Sequence, residues 1–144
     1  MIDLRTASYG ALVLRLTLGV LFLAHFALKL FVFTPQGTAQ FFGSLGLPPA
    51  LAYLVMIGEL LGGIALILGI YARWVALGLT IILIGAIATV HIHAGFFFDS
   101  KGGGWEFPGL WAVALVVQAL LGDGAYAVIP SPTTASASPR RAVP

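Results

Sequence analysis

The chain has 144 residues, 60% of them hydrophobic and 8% charged, with a mean hydropathy of +1.04; soluble domains carry about 25% charged residues, so lipid must be the solvent for most of this surface. The formal charge of +2 is carried by scattered residues and by Arg140 and Arg141 near the C-terminus, which leaves no basic stripe for a phosphate backbone and speaks against nucleic acid as a partner. With no cysteine the chain has no disulfide, no thiolate-held iron–sulfur cluster and no thiol–disulfide exchange, so any redox chemistry needs a bound cofactor or a partner protein.

Apolar stretches occupy residues 10–33, 50–71, 74–98 and 107–129, each near the ~20 residues that cross a ~30 Å hydrocarbon core. They predict an all-α integral membrane protein, a four-helix bundle filling residues 1–129. The first stretch ends without a small-residue cleavage site and is longer than a signal-peptide core, so it reads as a retained helix. The segment Thr34 to Pro49 has no charge but carries Gly37, Gly43, Gly46 and the pair Pro48–Pro49; it is expected to fold back onto the outer surface with Phe41 and Phe42 as anchors. In the second stretch Gly58 and Gly62 form a G-x-x-x-G followed by Gly63 and Gly69, and in the third Gly78 and Gly85 recur seven apart. Such positions let helix backbones approach closely in lipid, within one bundle in preference to a dimer face. Between the last two stretches, Gly102–Gly103–Gly104 is a flexible turn and not a phosphate cradle, because no strand precedes it. From Pro130 onward the composition turns to Pro, Ser and Ala, which predicts a disordered cytoplasmic tail over 130–144.

Arg5, Arg73, Arg140 and Arg141, with Arg15 just inside the core, fall on one side, against Lys29 and Lys101 on the other. That bias predicts both termini in the cytoplasm.

An ionisable residue inside a span is costly and faces the bundle interior or a water-filled cavity. The candidates are His25, Lys29, Glu59, His91 and His93. A rise of 1.5 Å per residue puts His25 ~21 Å, Lys29 ~27 Å and His91 ~26 Å from the cytoplasmic face, with Glu59 ~14 Å below the outer one. All lie in the outer half, so residues of three helices can converge on one pocket. His25 and Lys29 are i and i+4 and share a face; Glu59 shares its face with Gly62 and Gly63, whose missing side chains leave room beside the carboxylate, and pairing with Lys29 or His25 would satisfy it. Glu106 could close the ring. His91 and His93 lie about 200° apart around a helix, which assigns His91 to the interior and His93 to the interface.

Each candidate has a plainer reading. Lys29 and His93 could snorkel to headgroups, as Arg15 does at the cytoplasmic side, and Glu59 could form a structural interhelical pair. Trp74, Trp105, Trp111 and Phe96–Phe97–Phe98 read as an aromatic belt. Asp123 reads as solvated, and Gln118 as bonded to a neighbouring helix. Haem between His25 and His91 is disfavoured, and no ligand motif such as H-E-x-x-H supports a metal.

Over residues 10–130 the chain resembles the DoxX family of small four-helix bacterial membrane proteins. The resemblance rests on LRLTLGVLFLAHFALKL in the first span, FFGSLGLPPALAYLVMIGELLGGIALILGIYARWVAL through the second, and VHIHAGFFFDSKGGGWEFPGLW with GDGAYAV toward the end. It carries over onto His25, Lys29, Glu59, Gly62, Gly63, Arg73, His91, Gly95, Glu106 and Pro108. His93 falls at a variable position, and Phe26 stands where the family commonly has Gly, which narrows the space beside His25. The family implies a multi-pass protein of the bacterial inner (plasma) membrane, with relatives linked to quinone-dependent oxidation of sulfur compounds and to complexes that guard against oxidative stress.

These readings lead to a quinone- or amphiphile-binding subunit of a membrane oxidoreductase system. In it His25, Glu59 and His91 are the catalytic candidates, and Lys29, His91, Glu106 and Trp105 the cofactor contacts. Besides lipid, a partner redox protein or a second copy of the chain is the expected partner. A non-catalytic assembly or scaffold protein with a structural polar cluster is the rival from another class, and a small-solute or proton pathway the third.

Overall fold

The computed structural model describes residues 3–132; Arg140, Arg141 and most of the expected tail, 133–144, lie outside the described residues. The regular structure among the described residues is helical, apart from one isolated parallel bridge between Ile70 and Ile129. Helix α1 (Leu4–Ala27) starts where the Asp3 carboxylate accepts the Arg5 N–H at 2.9 Å. It then widens without a break into a π turn, Leu28–Val32, closed by Phe33 N–H donating to Leu28 O at 3.0 Å.

The uncharged segment that follows is not simply a loop. Thr34 caps α2 (Pro35–Ser44) by accepting the Gly37 N–H at 3.1 Å, and Pro35 supplies a first helical residue that needs no N–H partner. Helix α2 lies against α3 (Ala50–Leu68) and buries Thr38 and Ala39. Gly69, at φ 71°, ends α3 in the left-handed conformation, and α4 (Ala72–Thr89) begins three residues beyond it.

Two of the apolar stretches are shorter as helices than their composition predicts. The third regular helix stops at Thr89, because Val90 leaves helical geometry at φ −120°, and a 3-10 turn, His91–Ala94, follows. The fourth, α5 (Glu106–Leu121), stops before 129 because Gly122 and Gly124 both take positive φ, 87° and 72°. Residues 122–132 instead form a strap over one end of the molecule. Ala125 N–H donates to Ser8 O, Val128 and Ile129 N–H donate to Leu68 O and Gly69 O, and Tyr71 N–H donates to Ile129 O, all between 2.8 and 3.1 Å.

Three helical segments are long and apolar enough to cross a membrane: Arg5–Val32, Ala50–Leu68 and Ala72–Thr89. Helix α5 is apolar but has 16 residues, ~24 Å at 1.5 Å per residue. Helix α1 packs on α3, α3 on α4, α4 on α5 and α5 on α1, around Leu18, Phe22, Leu66, Leu79, Leu83 and Leu115. The closest approach is α1 to α3, where a Cβ on Gly19 would meet Gly63 O at 2.8 Å and one on Gly63 would meet Gly19 O at 3.0 Å. Gly78 and Gly85 have nothing beside them, so their spacing marks no packing face within the chain. The outward residues, among them Val13, Val20, Leu54, Leu61, Ile81 and Leu120, are large and apolar, as a lipid-facing surface requires.

Candidate functional site

The polar side chains at the far end of α1 do converge. Lys29, carried by the π turn, donates to Glu59 Oε1 at 2.8 Å; the carboxylate side chain is 6% exposed and the ammonium side chain 18%. This pairing replaces snorkelling as the account of Lys29. Glu59 Oε2 is buried without a hydrogen-bond partner. The room expected beside it from Gly62 and Gly63 is taken: a Cβ on Gly62 would strike the Leu79 side chain, and one on Gly63 would strike Leu23 and the α1 backbone. These glycines serve helix approach, and the reachable side of the pair is that of Lys29.

One turn before Lys29, the His25 ring lies 4.9 Å from the Trp111 ring, within electrostatic reach of both Lys29 and His91. Trp111 is not part of an interfacial belt. It is buried, packs against Phe22 at 4.5 Å and Phe107 at 5.7 Å, and its Nε1–H has no partner. His91, in the 3-10 turn, donates from Nδ1 to Gly103 O at 2.7 Å. A carbonyl only accepts, so Nδ1 carries a proton. Gly103 can offer that carbonyl because its φ of 73° suits glycine. His93 is exposed, on the outer side of the turn.

Glu106 does not close the ring around Glu59. Its Oε2 accepts the Phe98 N–H at 3.2 Å, and its backbone N–H donates to Phe96 O at 2.9 Å, next to Trp105 N–H donating to Gly95 O at 3.0 Å. Glu106 and Trp105 instead edge an apolar groove of about 740 Å³ on the α4–α5 side, together with Ile92, Phe96, Gly109 and Leu110. Trp105 and Phe96 meet edge to face at 4.8 Å. No group of three or more His, Asp or Glu among the described residues could hold a metal ion.

A second polar cluster lies under the strap, beside the middle of α1, where the sequence places a snorkelling arginine and a solvated aspartate. Arg15 is 1% exposed. Its Nη2 donates to Ala125 O at 3.2 Å, while Nε and Nη1 are buried without a partner; Nη1 occupies the space that a Cβ on Gly69 would need. Asp123 accepts from Ser131 N–H at 2.7 Å, from the Ser131 hydroxyl at 2.8 Å and from Arg73 N–H at 3.4 Å. Burial alone would raise its pKa, but these hydrogen bonds outweigh it and hold the carboxyl below its ordinary value. Gln118, fully buried, donates to Gly122 O at 2.8 Å and so caps its own helix, not a neighbour. Spacing carries the signal for both missed residues. Arg15 lies seven residues before Phe22 and fourteen before Lys29, and Trp111 seven before Gln118, so each shares a helix face with a residue that points inward.

The DoxX family model matches residues 10–92, more than half of the chain. The chain belongs to the DoxX family. The matched span takes in His25, Lys29, Glu59 and His91 and ends before Trp105, Glu106 and Trp111. A relative from Bacillus subtilis (strain 168), described as "Putative oxidoreductase CatD", is 37% identical over 126 residues, covering 88% of this chain and 89% of that protein. No solved structure matches the chain. This DoxX protein is therefore a membrane protein whose family resemblance and apolar helices agree.

Proposed function

We propose that this DoxX protein is a plasma-membrane subunit of a bacterial oxidoreductase system that binds a quinone-type amphiphile. Helices α1, α3, α4 and α5 form a transmembrane bundle, with the site in the outer half. The reading is carried by one observation: two buried hydrogen-bonding atoms have no partner, Glu59 Oε2 in the ion pair with Lys29 and Trp111 Nε1 in the indole beside the His25 ring. Buried polar groups are ordinarily satisfied, and an aromatic ring bearing oxygen substituents suits a cluster bounded by Phe22, His25 and Trp111. The oxidoreductase name of the Bacillus relative supports it. Such a ligand supplies two-electron, two-proton chemistry when bound. The chain's part is to hold and orient it: Lys29 pairs with Glu59, Glu59 and His25 bond the oxygen substituents, His91 Nε2 takes or returns a proton, and Trp105 and Glu106 edge the groove where an apolar tail lies.

The test is a titration of the purified protein in detergent with decylubiquinone, with the lipid extract of the same preparation analysed for copurified quinone. Saturable binding that weakens at least ~10-fold in His91→Ala, about 1.4 kcal/mol, is expected. Protein that binds no quinone analogue, or binds as well after the substitution, overturns the reading. The 2.8 Å contact between Lys29 and Glu59 also favours a second reading, an assembly protein in which the pair only locks α1 to α3. On that reading Glu59→Gln lowers the melting temperature and leaves ligand binding and redox assays unchanged.

A further inference from the structure

Two hollows adjoin at the start of α5, and Glu106 and Leu110 line both. The larger is the groove of about 740 Å³ edged by Phe96 and Trp105; the smaller, of about 320 Å³, is lined by Phe98 and Phe107 as well. Trp105 and Phe96 stand at 79° to one another with ring centroids 4.8 Å apart, so their planes form a corner. Glu106 Oε2 accepts the Phe98 N–H at 3.2 Å, and the open N–H groups in the first turn of α5 favour a negative charge at this position. Neither hollow has a Lys, Arg or His among its lining residues, and among the described residues no cation pairs with Glu106. Aromatic residues at the end of a span are ordinary interface anchors. A carboxylate set among them without a counter-charge is not, because apolar neighbours cost it hydration.

We infer that these hollows bind an amphiphilic cation, an alkylated ammonium on an apolar chain, with Glu106 as its counter-charge and the surrounding rings as the walls of its head site. A cation within about 6 Å of an aromatic face is attracted by the ring quadrupole, and quaternary ammonium groups are recognised in this way. An alkylated head fits better than a primary ammonium. The three N–H donors of a primary ammonium would meet a single carboxylate among apolar walls and leave donors unsatisfied, whereas methyl groups need no acceptor. Charge also sets a free cation above a phospholipid headgroup: a choline lipid would bring a phosphate beside Glu106, with no lining cation to receive it. The chain of the amphiphile lies along Ile87, Ile92, Leu110 and Val113. This goes beyond the proposed function, which uses the groove only for an apolar tail, and it stands whether or not a quinone-type head binds near Lys29 and Glu59.

The experiment is isothermal titration calorimetry of the full-length protein in dodecyl maltoside, with the heat of partition into empty micelles subtracted. It compares octyltrimethylammonium with octylphosphocholine, which adds a phosphate to the same head, and with octyl sulfate. Saturable binding of octyltrimethylammonium, at least ~10-fold tighter than that of octylphosphocholine, and no binding of octyl sulfate are expected. Glu106→Gln keeps an oxygen for the Phe98 N–H but removes the charge, and should weaken the cation at least ~10-fold. Trp105→Leu takes away one wall of the corner and should weaken it roughly 3-fold, which keeps the test decisive if the first variant does not fold. Octylphosphocholine binding as tightly as the cation would make the occupant a phospholipid headgroup, and octyl sulfate binding as tightly would reduce the hollows to an apolar trough. Either outcome, absence of saturable cation binding, or cation binding unchanged in both variants overturns the inference. The decylubiquinone titration reads the proposed function separately, so a protein that binds the cation and no quinone analogue loses that reading alone.

Discussion

Glu59 sits where a carboxylate has reason to be neutral, in a wall of apolar side chains, and the Lys29 ammonium meets one of its oxygens at 2.8 Å. Removing one partner of such a pair leaves an uncompensated buried charge, a loss of about 3–5 kcal/mol, whereas replacing both by apolar groups of similar volume is often neutral. Lys29→Met should therefore destabilise strongly, and Lys29→Met combined with Glu59→Leu should recover most of the loss, measured as denaturant midpoints in one detergent. Equal destabilisation by the single and double variants would show that the pair carries no mutual energy. Gly69 makes a sterically sharper case. It combines φ 71° with a space already occupied by Arg15 Nη1 and, at 2.7 Å, by the Cα of Ala127, so Gly69→Ala should cost roughly 3 kcal/mol or more and lower the melting temperature by about 10 °C. Gly78→Ala, with open space around it, is the matched control and should change little. Of the site residues, Lys29, Glu59, His25 and His91 are legible in the sequence because a charge or imidazole inside a span is conspicuous and helix rise fixes its depth. Trp111 is marked only by its seven-residue spacing to Gln118, because a tryptophan near a span's end has the same composition whether it faces headgroups or a histidine ring. Arg15 is misleading for the opposite reason. Its distance along α1 suits a snorkelling side chain, and only the returning strap, remote in sequence, covers it.

The elements whose limits differ from their apolar stretches are those ended by backbone geometry rather than by polarity. Residues 122–129, GDGAYAVI, continue the hydropathy of α5, yet Gly-Asp-Gly turns the chain by taking positive φ at both glycines. Helix α2 is legible in retrospect from Thr34–Pro35, a capping residue followed by proline, but hydropathy alone shows it as an uncharged loop. The strap has a titratable latch. Asp123 joins its two ends, receiving Ser131 from the strap and the Arg73 N–H from α4. Because its folded pKa lies below the ordinary carboxyl value of 3.8, the stabilisation from the ionised form is fully present above that value. It is lost as pH falls through the folded pKa. The difference in melting temperature between wild type and Asp123→Ala should therefore hold constant from neutral pH to ~5 and shrink below ~4. Hydrogen exchange of the Ile129 and Tyr71 amides, whose bonds fix the strap to the α3–α4 turn, should accelerate over the same acid range. A difference that grows on acidification would place the stabilisation in another group.

Across the whole molecule, the buried and half-buried charges gather at two ends with an apolar middle. Arg15 and Asp123 lie at the strap end and Lys29 and Glu59 at the other, and Leu18, Phe22, Leu66, Leu79 and Leu115 fill the space between. His25 stands ten residues beyond Arg15, ~15 Å along the helix, and the core residues between them offer no ionisable group. That arrangement weighs against a continuous proton or solute path and for two independent polar sites. It also makes orientation testable. Arg5 and Arg73 belong to the strap end and Lys101 to the loop at the other, and positive residues favour the cytoplasm, which predicts the strap inside and the His91 loop outside. The chain has no cysteine, so single cysteines can be introduced without first removing others. Lys101→Cys, on an exposed loop residue, should react with a membrane-impermeant maleimide in intact cells whose outer barrier admits the reagent. Tyr126→Cys, at a strap position 77% exposed, should react only after the plasma membrane is permeabilised. The reverse pattern would turn the molecule over and move the Lys29–Glu59 site to the cytoplasmic leaflet, where its ligand would exchange with the opposite half of the bilayer.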